Sequence, residues 1–388
     1  MEGILVNGPI NVARLEGDVM GIKKVIYIFM DFHSDVAHQT QCHSLDSMEL
    51  PQYLVKMFEA GDRSRFFDLF LEISGTSLAG PDPTFRGRYK DEIARYFRDQ
   101  IKRSKLRDIN VRYHHVDIRD LIKNEVNDVV YNLHNIVRNI ANNFVTRQDY
   151  DLLYNLLDRL QRRIDGVRKA LTPRHRQGAR ATVDLEPDAM TRFFDKILTR
   201  YRHREIPPKL REILTVLDDR FSTLADLISE AIALVKGSAD VVLKPIGELA
   251  RVDFGVGKVF TYGRDVMKFI DFKHRLEVLV SQIEFLTIHT FSLIVDLFFL
   301  RRFLDKDYVT NGIVYTGVSH SLVYIYILVK YFDFKMTKVS YTGGDADADI
   351  EERIKKSTLQ DLTEVEGIFL PKTFSQCVNM TEFPRGFS

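Results

Sequence analysis

The segment KKVIYIFMDFHSDVAHQTQCHS, Lys23 to Ser44, is apolar and β-branched up to Met30 and then turns polar at once. Asp31, His33, Asp35, His38, Cys42 and His43 follow in quick succession. Asp and His side chains together bind borderline divalent metals. A His held in one tautomer by a carboxylate is also a general base. The bland alternative is a polar loop, since Asp and Ser after a strand cap helices and form turns. Both readings are open on these residues alone.

Other strand-like runs end in the same way. Arg65–Ser74 reaches Glu72, and Ile109–Asp120 ends in Asp117 and Arg119 after His114 and His115. The run NGIVYTG is followed by Val318, Ser319 and His320. Arg119 suits an anionic substrate or a bidentate carboxylate. The candidate catalytic set is therefore Asp31, His33, Glu72, Asp117, Arg119 and His320. A divalent metal would take Asp31, His33 and His320 as ligands. His114 and His115 alternate across a strand, so at most one of them faces a common site. Cys42, His38 and His43 would need a second ligand pair to form a zinc knuckle, and the sequence offers none nearby. His289, Ser292 and Asp296 share one face of a helix and read as a buried hydrogen-bond network.

These groups converge only if the strands share a parallel sheet. The N-terminal ILVNGPINVARLEG reads as a short ribbon turning at Asn7-Gly8. The Lys23–Asp31 run is of the type buried on both faces of a parallel sheet. Helical spacing follows in Leu50–Gly61, then the strand at Arg65–Ser74, a turn-rich loop PDPTFRGR, an amphipathic helix from Tyr89, and the strand at Ile109–Asp120. This β-α-β-α-β order implies right-handed crossovers. Leu121 to Asp305 is mostly helical, broken at Thr172–Ala189, a sequence expected to form a mobile loop, and at Pro207-Pro208. The chain then returns to strand, helix and strand. The expected fold is α/β, a mostly parallel sheet built from N- and C-terminal segments with a large helical insertion. The boundaries are 1–120 and 306–365 for the α/β core, 121–305 for the insertion and 366–388 for an extended tail. Residues 24–30, 65–73, 109–116 and 312–316 are the expected neighbouring strands, with the ligand crevice at their carboxyl ends.

Composition narrows the function classes. The 388 residues are 45% apolar, with 55 Lys and Arg against 54 Asp and Glu. A chain so balanced has no general electrostatic reason to seek nucleic acid. Two cysteines allow one disulfide and fit a reducing compartment. The N-terminus lacks the pattern of a secretory signal. Val278–Asp305 is long and apolar, but Glu284, His289 and Asp296 argue for a core helix over a transmembrane segment.

The segment GPINVARLEGDVMGIKKVIYIFMDFHSDVAHQTQC resembles the start of uncharacterised proteins of nucleocytoplasmic large DNA viruses of the giant-virus type. A more distant resemblance is to the TraB/Tiki/ChaN group, with its Gly-x-x-His after the first strand and again near the C-terminus. Here the second motif is Gly317-Val318-Ser319-His320, and the first is Met30-Asp31-Phe32-His33, with Met in the glycine position. The viral resemblance implies a virion structural or assembly component, minor capsid-like, in the host cytoplasm and virion. Its partners would be other viral proteins, met through the tail. Ile368, Phe369, Leu370, Phe374, Val378, Met380, Phe383 and Phe387 need a surface, so the tail either folds back on its own domain or lies on a neighbour, and on the second reading deletion after Val365 is expected to spare the fold and abolish association. The second group includes metal-dependent proteases and haem-binding lipoproteins, and the alternative function is a metal-dependent hydrolase with Asp31, His33, Glu72, Asp117 and His320 around the metal.

Overall fold

The computed structural model describes residues 3–33, 42–74, 89–102, 110–119, 126–142, 145–171, 193–194, 196–197, 200–243, 264–343, 349–372 and 375–388. Asp35, His38, Phe374, the turn-rich loop at 81–88 and the break at 172–189 lie outside these residues. The chain divides into two compact units. One comprises Met1–Asp120, Arg200–Ile213 and Leu293–Ser388; the other comprises Leu121–Thr199 and Leu214–Ser292.

The first unit is α/β. Its main sheet has the order β6-β5-β7-β3-β2-β8. Here β2 is Asn11–Val19, β3 Ile22–Asp31, β5 Phe67–Ser74, β6 Val111–Asp117, β7 Asn311–Gly317 and β8 Lys335–Val339. The four expected strands β3, β5, β6 and β7 lie side by side and parallel. Their apolar runs reflect burial: every residue of β7 is buried, as are the last six of β3. β7 enters between β3 and β5, so a strand from the C-terminal part of the chain joins the two N-terminal ones. β2 and β8 are antiparallel additions at one edge.

The N-terminal ribbon is placed differently from the expectation. β1 (Leu5–Asn7) does not turn back on β2. It pairs with β4 (Met48–Glu49) and β9 (Cys377–Asn379) in a separate small sheet. The hairpin is β2–β3, closed by Met20-Gly21 with both residues at positive φ, the mirror-type turn that matches strand twist.

The tail is also a correction. It folds back on its own unit. β9 pairs with β1, and Val378, Met380, Phe383 and Phe387 are buried in the core cluster with Tyr27, Tyr53, Phe58 and Phe67. The Phe387 ring lies 4.8 Å from Tyr27 and 5.5 Å from Phe58. Gly386 lets the tail approach closely: a Cβ there, at φ 68°, would sit 2.7 Å from the Ala60 carbonyl oxygen. The physical reason is that apolar side chains without period of their own filled a groove already bounded by the sheet and the helix Leu50–Ala60. Cys42 and Cys377 form a disulfide, which ties the tail to the chain after β3.

The second unit is built of helices among its described residues. Asp128–Asn142 and Arg147–Leu171 lie wholly in it. The helix Arg211–Gly237 joins it from Leu214, and Arg264–Asp305 contributes as far as Ser292. Phe221 and Phe291 pack edge to face at 5.7 Å, and Arg220 donates to the His289 carbonyl. Residues 200–213 and 293–305, helical in pattern, cluster with the α/β unit. Among the described residues Val266–Asp305 is the one helix long and apolar enough to cross a membrane, and most of its apolar window is buried.

Candidate functional site

Glu72 stands near the end of β5 with its carboxylate buried. Burial alone would favour the neutral acid. Five donors oppose that. Oε2 accepts from His33 Nε2 at 3.0 Å, Thr316 Oγ1 at 2.9 Å and the Gly317 amide at 2.8 Å. Oε1 accepts from Arg119 Nη2 at 3.0 Å and faces His320 Nε2 at 3.5 Å. Burial pushes the Glu72 carboxyl up, but hydrogen bonds and charges from His320 and His33 overcome it and hold it far below the usual range.

Each imidazole is backed by an aspartate. His33 Nδ1 meets Asp31 Oδ2 at 2.8 Å, and His320 Nδ1 meets Asp296 Oδ1 at 2.5 Å. Asp31–His33–Glu72–His320–Asp296 is thus a continuous chain. An imidazole with a carboxylate on both nitrogens can satisfy both only as the doubly protonated cation. Burial works against protonation of His33, yet the bonds to Asp31 and Glu72 raise its pKa above the ordinary value. Burial also opposes protonation of His320, and Asp296 with Glu72 raises it to about 10. Full burial raises the Asp296 carboxyl against the pull of His320.

Backbone geometry makes this possible. His33 follows β3 directly and has φ 57°, the left-handed region, which costs a non-glycine residue roughly 1–3 kcal/mol. That turn folds its ring back toward Glu72. Gly317 then has to lack a side chain: a Cβ there would lie 2.7 Å from His33 Nε2. Arg119 is held by both Asp117 oxygens, at 2.8 Å each, which aims its guanidinium at Glu72. His33 is 27% exposed and Arg119 31% in their side chains, so these two form the solvent-facing part of the site.

All six sequence candidates, Asp31, His33, Glu72, Asp117, Arg119 and His320, therefore meet in one network. Three further side chains, Thr316, Asp296 and Gln376, were not among the candidates. Asp296 was noted only for sharing a helix face with His289; it serves His320 instead, while His289 packs on Phe285 at 4.1 Å. Gln376, from the tail, donates to Asp31 Oδ1 at 3.0 Å and to the Gly8 carbonyl at 2.6 Å. A buried acid seven residues from a His was the only local signal for Asp296, and nothing local marked Gln376. His114 belongs elsewhere: it stacks on Phe70 and bonds Asp68 at 2.7 Å and Arg302 at 2.9 Å.

The expected metal does not fit this donor set. Both nitrogens of His33 and His320 face carboxylates, and five donors occupy Glu72. Asp31 gives one oxygen to His33 and the other to Gln376. The imidazole nitrogens and carboxylate oxygens that a cation would need are each engaged by another side chain or amide. Among the described residues no group of three or more His, Cys, Asp or Glu is arranged to hold a metal ion. Cys42 is in a disulfide, which removes it from any zinc knuckle.

Comparison with known proteins places the chain by family. Residues 4–388 match the model of DUF5847, a family of unknown function, and the chain belongs to that family. An uncharacterized protein of Acanthamoeba polyphaga mimivirus is 32% identical over 99% of this chain and 97% of its own length. Two more uncharacterized proteins of the same virus are 28% and 27% identical over nearly their whole lengths. The giant-virus resemblance is therefore shown, and this is a protein of giant-virus type. These matches do not show the likeness to the TraB/Tiki/ChaN group. No solved structure matches the chain.

Proposed function

We propose that the α/β unit is a hydrolase working by proton transfer at His33. The observation that carries this reading is the placement of His33. It is a part-exposed imidazole in a left-handed backbone conformation, held between Asp31 and Glu72 beside the part-exposed Arg119. Backbone strain of this kind persists where the surroundings over-determine it, and it clusters at functional sites. In this reading a substrate leaving group displaces Glu72 from His33 Nε2 and takes that proton as water adds to the substrate's electrophilic atom, while Asp31 on Nδ1 fixes the ring. Arg119 stabilises negative charge that develops on the substrate. Glu72, with His320 and Asp296 behind it, holds both cations in place. The role of virion component loses the feature on which it stood, because the tail is packed within its own unit.

The test is turnover of chromogenic ester, amide and phosphoester substrates by the purified chain. His33→Asn should lower the rate by about 10²–10⁴-fold with little change in fold. Absence of turnover across the panel, or an unchanged rate in His33→Asn, would overturn the reading.

A further inference from the structure

Gln376 reaches the site from the tail, and the residue after it is held by a covalent bond. Its buried side chain donates from Nε2 to Asp31 Oδ1 at 3.0 Å and to the Gly8 carbonyl at 2.6 Å. The Gly8 amide donates back to the Gln376 carbonyl at 3.0 Å. Asp31 gives its other oxygen to His33 Nδ1 at 2.8 Å. An aspartate held on both oxygens keeps one orientation, so Gln376 fixes the carboxylate that fixes the imidazole.

The next residue, Cys377, is bonded to Cys42, with the two Cα atoms 4.9 Å apart. Asn7 links the same two points without a covalent bond. Its side chain accepts from the Cys42 amide at 2.7 Å, and its backbone is the register partner of Cys377 in the β1–β9 pair. That sheet is small, with three residues each in β1 and β9 and two in β4, and so short a ladder is marginal by itself. The disulfide is therefore the restraint that keeps the segment of Gln376 against β1. Both cysteines are part-exposed, so a thiol reaches the bond from solvent. Ile368 and Phe369 before it, and Val378, Met380, Phe383 and Phe387 after it, are buried in the unit. Opening the bond thus loosens a short segment between anchors and leaves the core closed.

We propose that Gln376 is a positioning residue of the site and that the Cys42–Cys377 disulfide is its redox control: a dithiol that opens the bond releases Gln376 from Asp31 and lowers the activity of His33. One thiolate of the dithiol attacks a sulfur of the bond, forms a mixed disulfide and expels the other cysteine as a thiolate. The second thiol of the reagent then displaces the cysteine still attached. The reagent leaves as a cyclic disulfide, oxidised by two electrons, and its two protons end on Cys42 and Cys377. An oxidised dithiol runs the same steps backward and restores the site. The inference rests on the hydrolase reading for what the site does, but the control itself is read without turnover.

The experiment compares the full chain oxidised, reduced by excess dithiothreitol with its thiols counted, and reoxidised by oxidised dithiothreitol. The first readout is the proton–nitrogen spectrum of the histidine rings, with His33 assigned by its loss in His33→Asn. Reduction should move the His33 Nδ1 proton upfield as its bond to Asp31 is lost, and reoxidation should return it. The ring of His114, bonded to Asp68 and Arg302, should not shift. The second readout is turnover: kcat should fall roughly 10–100-fold on reduction, with KM near the parental value. The double variant Cys42→Ser, Cys377→Ser should match the reduced chain and ignore the dithiol. Gln376→Met, which keeps the disulfide and removes the donor, should do the same. Gln376→Asn, with its amide drawn back by one methylene, replaces it if it does not fold. A disulfide of structural use only would lower the melting temperature on reduction and leave the His33 ring and kcat unchanged, and that result overturns the proposal. So does a disulfide that resists the dithiol in the folded chain, or a reduced chain that no longer melts cooperatively. A redox shift of the His33 ring in a chain without turnover on any ester, amide or phosphoester would sink the hydrolase reading alone.

Discussion

Removal of the C-terminal residues after Val365 should prevent the α/β unit from folding. The deletion takes away Ile368, Phe369, Val378, Met380, Phe383 and Phe387, all buried. Burial of such side chains contributes roughly 1.5–3 kcal/mol each, hence roughly 9–18 kcal/mol together. That is an upper figure, because a denatured chain already hides part of this surface. It still equals or exceeds the roughly 5–15 kcal/mol of total stability usual for a domain. The cluster of Tyr27, Phe29, Tyr53, Phe58 and Phe67 would open to water where Phe387 now sits. The milder variant Phe387→Ala should cost about 3–5 kcal/mol, and about 1 kcal/mol lowers melting by roughly 2–4 °C at this domain size. The assay is soluble yield and circular-dichroism melting of the truncated chain and of Phe387→Ala beside the parent. A truncated chain that melts cooperatively near the parental temperature would refute the reasoning and return the tail to the role of a free arm.

Gly317→Ala should push His33 off Glu72, because the new Cβ would fall 2.7 Å from its Nε2. Turnover should drop and the His33 pKa should fall, with a stability loss of only about 1 kcal/mol, checked by proton NMR of the imidazole and by melting. Glu72→Gln should be far more damaging, about 3–5 kcal/mol by denaturant titration, since it takes the carboxylate from the buried His320 and from the part-exposed His33 and Arg119 together. The pKa of His320 is raised from 6.5 to about 10 on folding, so its stabilising contribution is complete below pH 6.5 and is lost as pH rises toward about 10. Melting temperature should fall across that window in the parent, and His320→Gln should flatten this part of the profile. Reduction of Cys42–Cys377 should lower stability by roughly 2–5 kcal/mol, read as a shifted urea midpoint with and without reductant.

The strands that carry the site were legible because a strand buried on both faces must be apolar throughout, and Lys23–Asp31, Arg65–Ser74 and NGIVYTG are nearly so. Their polar ends were legible for the same reason: Asp31, Glu72 and His320 interrupt or follow apolar runs where burial ceases to be free of cost. Parallel order then required a shared edge. What local pattern could not express was which groups would meet there. Asp296 reaches His320 only because the end of the helix Arg264–Asp305 packs within the same unit as β7 and the helix after it. Gln376 reaches Asp31 only because the tail docks beside β1. The N-terminal ribbon was misread because Asn7-Gly8 is a good turn signal, yet β1 found better partners in β4 and β9. The metal expectation finds no support among the described residues for a related reason. Residue types define a set of ligands, but only the tertiary arrangement shows that Asp31, His33, Glu72 and His320 are engaged with one another and with Arg119, Thr316, Gly317, Asp296 and Gln376. Side-chain periodicity is a property of neighbours along the chain, whereas hydrogen-bond saturation is a property of neighbours in space.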